Sequence, residues 1–267
     1  MLPQIANTVF AKVRFSGSKK IYSNETSTSR EEEVIFEKED LHAHKKLKTI
    51  KSPRIVFNGG HIKAVTSLCL IEAPGKCPII VSGGEDKIIN LWSIETGCND
   101  LLVTLKGHTA RVSCLSTCRV NSQGTAIALV SGSWDETLIV WDISSIYDVI
   151  AGEIKADQFA NKSKSIVLKG HKNRVSGVEC PSIKFGDNEK RCVISVSYDN
   201  TIRVWHIIDD MFGENSIEFK YKIVALQETW WLCMKYYLSI VHGPIVLTGG
   251  KDHTLRVWKL MEPESKG

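Results

Sequence analysis

Short apolar runs with a period of two recur along most of the chain. TLIVW (137–141) and TIRVW (201–205) are clear examples, and turn-forming stretches such as APGKCP (73–78), NSQG (121–124) and FGDNE (185–189) separate the runs. This alternation is typical of half-buried β-strands, and Gly, Pro, Asn and Asp favour the turns between them. The pattern predicts an all-β chain built from short antiparallel strands.

Four segments repeat one internal spacing, in which an Asp precedes a Trp by six residues. The segments are IIVSGGEDKIINLW (79–92), LVSGSWDETLIVWD (129–142), VISVSYDNTIRVW (193–205) and VLTGGKDHTLRVW (246–258). Three of the units also open with a Gly-His pair and a Val four residues after the His, in GGHIKAVTSL, KGHTARVSCL and KGHKNRVSGV. Each His lies 25 to 28 residues before its Asp. Constant spacing over four units indicates a repeat architecture.

These residues resemble the WD40 repeat family, whose units carry a Gly-His near the start and a Trp-Asp near the end over about 40 to 45 residues. Trp141-Asp142 keeps the literal Trp-Asp, whereas Ser93, His206 and Lys259 follow the other tryptophans. The resemblance covers roughly residues 54 to 260 and implies a β-propeller with four recognisable blades. The expected repeats are about 54–93, 101–142, 166–206 and 223–259.

The resemblance also implies that a His, a Ser or Thr, an Asp and a Trp form a hydrogen-bonded tetrad inside each blade. The positions are His61, Ser82, Asp86 and Trp92; His108, Ser131, Asp135 and Trp141; His171, Ser195, Asp199 and Trp205; and Thr248, Asp252 and Trp258 in the fourth unit, which has no Gly-His. Buried His and Asp side chains must satisfy each other, and a hydroxyl and an indole N–H complete such a network. A catalytic triad needs one exposed Ser and an oxyanion site, and it has no reason to recur in three units. We therefore expect structural tetrads and no catalytic residues.

Blades must stack to cover their faces, and the common propellers have 4 to 8 of them. We expect four blades in an open or incomplete ring. Two alternatives remain open: another chain completes the ring, or residues 1–53 hold a degenerate fifth blade. That segment otherwise forms a polar extension, and its basic stretch 42–54 is interpreted as a solvated linker in preference to a nuclear address or an anionic docking strip. Residues 261–267 form a tail.

Composition narrows the class of protein further. The formal charge of +4 over 267 residues implies no strong attraction to nucleic acid or to a membrane surface. The eight cysteines include no CxxC pair, and His42 and His44 have no further ligands nearby, so we expect neither a metal nor a cofactor. The start of the chain lacks a signal peptide, and no apolar run approaches the length of a membrane helix. We expect an intracellular protein of the cytoplasm or nucleus.

In the family, the residue before each blade Asp and the residues flanking the Val after Gly-His face one broad surface. The resulting candidate protein-binding residues are Glu85, Arg111, Ser113, Trp134, Arg174, Ser176, Tyr198 and Lys251. Aromatic rings beside guanidinium groups suit an acidic or phosphorylated peptide. The alternative is that each Arg covers an aromatic ring within the protein and binds nothing.

Three functions follow from the resemblance. The first is a non-catalytic scaffold that binds proteins or peptides on this surface. The second is a structural subunit whose propeller is completed by another chain, in a homo- or hetero-oligomer. The third is a propeller hydrolase, for which the sequence offers no nucleophile or general base outside the tetrads. Two inserts, 142–165 and 206–228, lengthen the repeat spacing, and we expect loops or short helices there.

Overall fold

Antiparallel β-structure dominates the computed structural model. The chain divides into two units, Met1–Lys51 and Ser52–Gly267. Within the second unit, the structure describes residues 56–57, 59–73, 75–94, 101–119, 127–185, 188–206, 221–226, 228–241 and 243–260. The suggested fifth blade in residues 1–53 and the tail 261–267 lie outside the described residues.

The described strands form four antiparallel sheets in chain order. Sheet 1 contains β1 (Val65–Ile71), β2 (Ile79–Gly84), β3 (Ile88–Ser93) and β4 (Leu101–Lys106). Sheet 2 contains β5 (Val112–Arg119), β6 (Ile127–Ser133), β7 (Leu138–Asp142) and β8 (Ser165–Leu168). Sheet 3 contains β9 (Val175–Glu179), β10 (Ser182–Phe185), β11 (Asn188–Ser197), β12 (Thr201–His206) and β13 (Tyr221–Leu226). Sheet 4 contains β14 (Trp231–Ser239), β15 (Gly243–Gly250) and β16 (Leu255–Lys259). These sheets confirm the predicted all-β class with four blades.

Apolar residues on alternate positions of each sheet fill the spaces between neighbouring sheets. Leu91 of sheet 1 and Leu129 of sheet 2 belong to one buried cluster. Val140 of sheet 2 and Val193 of sheet 3 belong to a second. A third cluster joins sheet 3 to Trp231 and other residues of sheet 4. Because successive strand residues point to opposite faces, each inner sheet packs against two neighbours.

The turn after the repeated Asp of each unit has a left-handed residue. Lys87, Glu136, Asn200 and His253 all have φ between 62° and 71°. Each follows its Asp directly and lies between two paired strands, which are β2 and β3, β6 and β7, β11 and β12, and β15 and β16 in turn. This conformation is uncommon for residues other than Gly and Asn, so the same tight turn is imposed at all four places.

The first insert folds into two short helices, α1 (Ile146–Ile150) and α2 (Ala156–Lys162). Ile146 and Phe159 are buried in the cluster between sheets 1 and 2, so the insert is part of the core there. Of the second insert, residues 207–220 lie outside the described residues, and β13 is the edge strand of sheet 3 that pairs with β12.

Candidate functional site

Two of the Gly-His pairs lie where a Trp ring approaches the backbone. A Cβ atom on Gly60 would lie 2.1 Å from Cη2 of Trp92, and one on Gly107 would lie 2.8 Å from Cη2 of Trp141. These distances are shorter than any van der Waals contact between carbon atoms. Glycine is required there because the next residue, a His, must reach the interior of the sheet beside the ring.

The second repeat shows the complete tetrad. His108 Nδ1 lies 2.9 Å from Asp135 Oδ2, and His108 Nε2 lies 2.8 Å from Ser131 Oγ. Trp141 Nε1 donates to the same Ser131 oxygen at 2.9 Å. With the Nδ1–H donated to Asp135, the Ser131 hydroxyl donates to Nε2 and accepts from the indole. The histidine is therefore satisfied in its neutral form.

The first and third repeats have the same arrangement. His61 contacts Asp86 at 2.9 Å and Ser82 at 2.8 Å, and Trp92 donates to Ser82 at 2.8 Å. The corresponding distances are 2.8 Å from His171 to Asp199, 2.7 Å from His171 to Ser195 and 2.9 Å from Trp205 to Ser195. Residues separated by 21 to 28 positions thus meet in one place in each sheet.

Each Asp also fixes the turn that follows it. Asp135 accepts hydrogen bonds from the Thr109 amide at 2.8 Å and from the Thr137 amide and hydroxyl at 3.0 and 2.6 Å. Burial by itself raises the pKa of Asp135, but the hydrogen bonds from His108 and Thr137 outweigh it and hold the pKa well below its usual range. Asp199 shows the same balance, with His171 as its main donor. Burial also lowers the pKa of His171, which keeps this imidazole neutral.

The fourth repeat replaces the histidine by an arginine from the following strand. Trp258 Nε1 donates to Thr248 Oγ1 at 2.8 Å, as in the other units. Asp252 pairs with Arg256, whose Nη2 lies 2.7 Å from Asp252 Oδ2, and this contact lowers the pKa of Asp252. Sheet 3 has a counterpart in Arg203, which donates to Thr201 Oγ1 at 3.1 Å. Neither arginine is among the tetrad residues expected from the sequence, although both stand four residues after an Asp.

The hydroxyls of the tetrads are inaccessible to a substrate. Ser82 is 4% exposed, and Ser131 and Ser195 are fully buried. Each oxygen also accepts a hydrogen bond from a Trp N–H and contacts a His Nε2. The Asp–His–Ser order resembles that of a hydrolytic triad, but the nucleophile position is closed in all three repeats.

A hollow of about 680 Å³ lies along the inner strands β1 and β5. Apolar residues and two charged side chains line it, and those charges are paired, with Lys235 Nζ 2.7 Å from Glu179 Oε1. Among the described residues, no group of three or more His, Cys, Asp or Glu side chains has an arrangement that suits a metal ion. None of the described helices is long and apolar enough to cross a membrane.

Backbone pairing brings together the two sets of surface positions that the sequence singles out. The amide of Trp134 donates to the Arg111 carbonyl at 3.1 Å, and the amide of Tyr198 donates to the Arg174 carbonyl at 3.0 Å. In sheet 4, the Lys251 amide donates to the carbonyl of Trp230 at 3.0 Å. The side chains of each pair therefore emerge next to each other at one end of a sheet.

These side chains form a series across the four sheets, in which two runs of side-chain contacts are joined by the hydrogen bond from the Tyr198 amide to the Arg174 carbonyl. Arg111 Nη1 lies 3.1 Å from Glu85 Oε1 of sheet 1. The guanidinium carbons of Arg111 and Arg174 lie 4.4 and 3.8 Å from the centre of the Trp134 ring. Tyr198 then stacks on Trp230, with ring centres 5.2 Å apart and planes 12° from parallel. The Lys251 ammonium lies 3.8 Å from the centre of the Trp230 ring.

We call this series the ladder surface. It consists of Glu85, Arg111, Trp134, Arg174, Tyr198, Trp230 and Lys251. Six of the seven residues were candidates from the sequence. Trp230 was missed, although it occupies the position of Arg111 and Arg174, directly before the residue that corresponds to the repeated Val.

Ser113 and Ser176, the other two candidates, connect neighbouring sheets. The Ser113 hydroxyl contacts the carbonyl of Val175, and the Ser176 hydroxyl contacts the carbonyl of Trp231. Thr66 makes the equivalent contact to the carbonyl of Val112. Their oxygens are engaged within the protein, so the structure does not place them on the ladder surface.

Comparison with known proteins agrees with this architecture. The family model described as WD domain, G-beta repeat matches residues 51–93, 99–142, 162–206 and 235–259. A ribosome biogenesis protein WDR12 homolog of Brugia malayi is 27% identical over 213 residues, covering 74% of this chain and 43% of that protein. An uncharacterized WD repeat-containing protein of Schizosaccharomyces pombe is 29% identical over 249 residues, covering 82% of this chain and 60% of that protein.

A third relative, the nuclear distribution protein nudF of Aspergillus niger, is 28% identical over 186 residues. The match covers 70% of this chain and 34% of that protein. The chain thus spans between about a third and three fifths of the length of these relatives. The repeat matches take in more than half of the chain, and the chain therefore belongs to the WD40 repeat family.

Proposed function

We propose that this protein is a non-catalytic scaffold that binds a peptide segment of another protein on the ladder surface. The observation that carries the proposal is the ladder surface itself, where Arg174 stacks on Trp134 between sheets 2 and 3 and Tyr198 stacks on Trp230 between sheets 3 and 4. Trp, Tyr and Arg are the residues most enriched at the energetic centres of protein interfaces. Three of the four charged groups in the ladder surface are basic, which favours an acidic partner.

The names of the relatives point to different assemblies, ribosome biogenesis in one case and nuclear distribution in another. What these proteins share with the chain is the repeat, so the proposed activity is the one that the repeat surface supports. We also propose an intracellular location, because the names of these relatives refer to ribosome biogenesis and nuclear distribution.

The test is selection of a random peptide library on the immobilised 267-residue chain. We expect peptides to be enriched by the wild type and lost with the double variant Trp134→Ala/Tyr198→Ala. A matched control is Leu101→Ala, which removes an exposed apolar side chain from the outer strand β4. Thermal unfolding of each variant shows whether the fold is intact. Equal enrichment by the wild type and the double variant would exclude the ladder surface as the binding site.

A hydrolase remains the competing class, and it has a direct test. Fluorophosphonate reagents label activated serines. We expect no labelling of Ser82, Ser131 or Ser195 in the native protein, because these hydroxyls are buried and hydrogen-bonded. Stoichiometric labelling of one serine would contradict the scaffold.

The uncovered faces of sheets 1 and 4 favour a second candidate function, a subunit whose propeller is completed by another chain. Leu68 is 67% exposed, whereas Leu115 and Val178 at the same repeat position are 9% and 5% exposed. Leu255 is 71% exposed, against 3% for its counterpart Ile202. The difference arises because no described sheet covers these two faces. Apolar surface of this kind marks an interaction site.

Light scattering across a range of concentrations tests this second candidate. Head-to-tail association should produce a dimer that Leu255→Lys/Val257→Lys dissociates, since a charge there opposes burial of the sheet 4 face. The matched control Leu101→Lys/Val167→Lys introduces the same two charges on the outer strands β4 and β8 and should leave the dimer intact. A monomer at every concentration would exclude association between copies of this chain.

A further inference from the structure

We propose that Arg174 binds the side-chain carboxylate of a glutamate or aspartate in the partner peptide, while Trp134 holds the guanidinium in position. This inference rests on the proposed function, because it names the chemical group that the ladder surface recognises. It assigns different roles to Arg111 and Arg174, which the sequence pattern treats as equivalent.

The two arginines occupy the same repeat position but have different neighbours. Arg111 forms an ion pair with Glu85 of the preceding sheet, the residue directly before Asp86. At the corresponding place before Arg174, the preceding sheet supplies Trp134, which has a ring and no charge. Among the described residues, no Asp or Glu forms an ion pair with Arg174. The charge of Arg111 is therefore balanced within the protein, and that of Arg174 is not.

Stacking on Trp134 leaves the hydrogen-bonding edge of Arg174 available. The guanidinium carbon lies 3.8 Å from the ring centre, and the side chain is exposed. A contact through the face of the guanidinium leaves its N–H groups, which lie in the plane, free to donate to two oxygens of a carboxylate. The ring also limits the conformations of a long side chain, so less entropy is lost when the anion binds.

The positive charge that the ladder surface leaves unbalanced favours a carboxylate over a phosphate as the bound group. Glu85 balances Arg111, and the Lys251 ammonium lies over Trp230, on the far side of Tyr198 in the series. One guanidinium matches one carboxylate, whereas a phosphoryl group carries about −1.5 to −2 charges and needs more than one cation. The carboxylate of the peptide forms with Arg174 the ion pair that Glu85 forms with Arg111.

Three peptide libraries test the inference. Their central residue is glutamate, glutamine or phosphoserine, and the flanking residues are randomised among neutral residues. Each is applied to the immobilised full chain under identical salt conditions. We expect the wild type to retain the glutamate library over the glutamine library by about tenfold, which is typical of a hydrogen-bonded ion pair. Arg174→Gln should abolish this preference. Lys106→Gln removes the same charge from an exposed position on β4 and should preserve it.

The other outcomes separate this inference from the proposed function. Retention of all three libraries to the same extent, lost with Trp134→Ala/Tyr198→Ala, would keep the binding surface and overturn the carboxylate. A phosphoserine preference that depends on Arg174 would overturn it in favour of phosphate. Retention of no library would reject the proposed function together with the inference. A glutamate preference that survives Arg174→Gln would assign the anion to another residue.

Discussion

Arg256 takes the place of the missing histidine in the fourth repeat, because its guanidinium donates to the Asp252 carboxylate over 2.7 Å. The donor comes from strand β16, four residues after the Asp, and not from the loop that carries the histidine in the other repeats. The Asp of the fourth repeat therefore pairs with an arginine four residues away, whereas the Asp of each other repeat contacts a histidine 25 to 28 residues away. This difference makes the fourth repeat a natural comparison for the others.

Arg256→Gln should loosen the hairpin between β15 and β16. Removal of the guanidinium leaves the Asp252 carboxylate with only the Thr254 amide and hydroxyl as donors, so we expect faster hydrogen exchange at the amides of this hairpin, measured by mass spectrometry. Lys259→Gln, which removes one positive charge from the same strand, is the control. Unchanged exchange in Arg256→Gln would show that the Thr254 hydrogen bonds alone fix the turn.

Asp135→Ala should lower the free energy of unfolding by about 1 to 3 kcal/mol, because it leaves His108, Thr109 and Thr137 without their acceptor. Urea denaturation monitored by Trp fluorescence measures the change. Glu153→Ala removes an exposed carboxylate from the loop between the two helices and should have little effect. A stable Asp135→Ala protein that loses an enzymatic activity would reverse the structural interpretation of this residue.

The protein should lose stability on acidification in two stages. The pKa of His171 is held below its ordinary value of about 6.5, and those of Asp135 and Asp199 are held below about 3.9. In each case the unfolded chain binds protons more readily than the folded chain. Stability should therefore be fully present above about pH 6.5, decline below it as His171 titrates in the unfolded state, and fall again below about pH 4.

Urea denaturation at a series of pH values measures this profile. His171→Gln should flatten the upper stage and leave the lower one. Greater stability below about pH 6 in the wild type would contradict the neutral state of His171.

Glu136→Asn should stabilise the protein by a few tenths of a kcal/mol, since Glu136 has a φ of 71° and Asn tolerates the left-handed region better. The third repeat already has Asn200 at this position, with a φ of 70°. The reverse substitution, Asn200→Glu, is the matched comparison and should lower the melting temperature. Changes of the same sign in the two variants would show that side-chain contacts, and not backbone conformation, decide the effect.

Ser176→Ala should weaken the junction of sheets 3 and 4 by about 1 kcal/mol, because it removes the hydroxyl that contacts the Trp231 carbonyl. Peptide retention on the ladder surface should be unchanged. Ser165→Ala, at an exposed position of β8, is the control for the stability measurement. Loss of peptide binding with full stability would return Ser176 to the binding surface.

Much of the fold follows from local sequence features. The alternating runs, the turn residues and the constant Asp-to-Trp spacing determine the hairpins, because both strands of each hairpin lie within one short segment. The same spacing indicates which His, Ser, Asp and Trp of a repeat occupy equivalent positions. The two arginines after Asp199 and Asp252 were also readable in principle, at a spacing of four residues.

Only the tertiary structure decided which side chains meet between repeats. Three features depend on the neighbouring sheet: the stacking of Tyr198 on Trp230, the contact of Ser176 with Trp231 and the unbalanced charge of Arg174. So does the exposure of Leu255, whose counterpart Ile202 is buried at the same repeat position. A repeated sequence specifies one sheet at a time, whereas burial and pairing at its faces depend on whether a neighbouring sheet is present and which side chains it contributes.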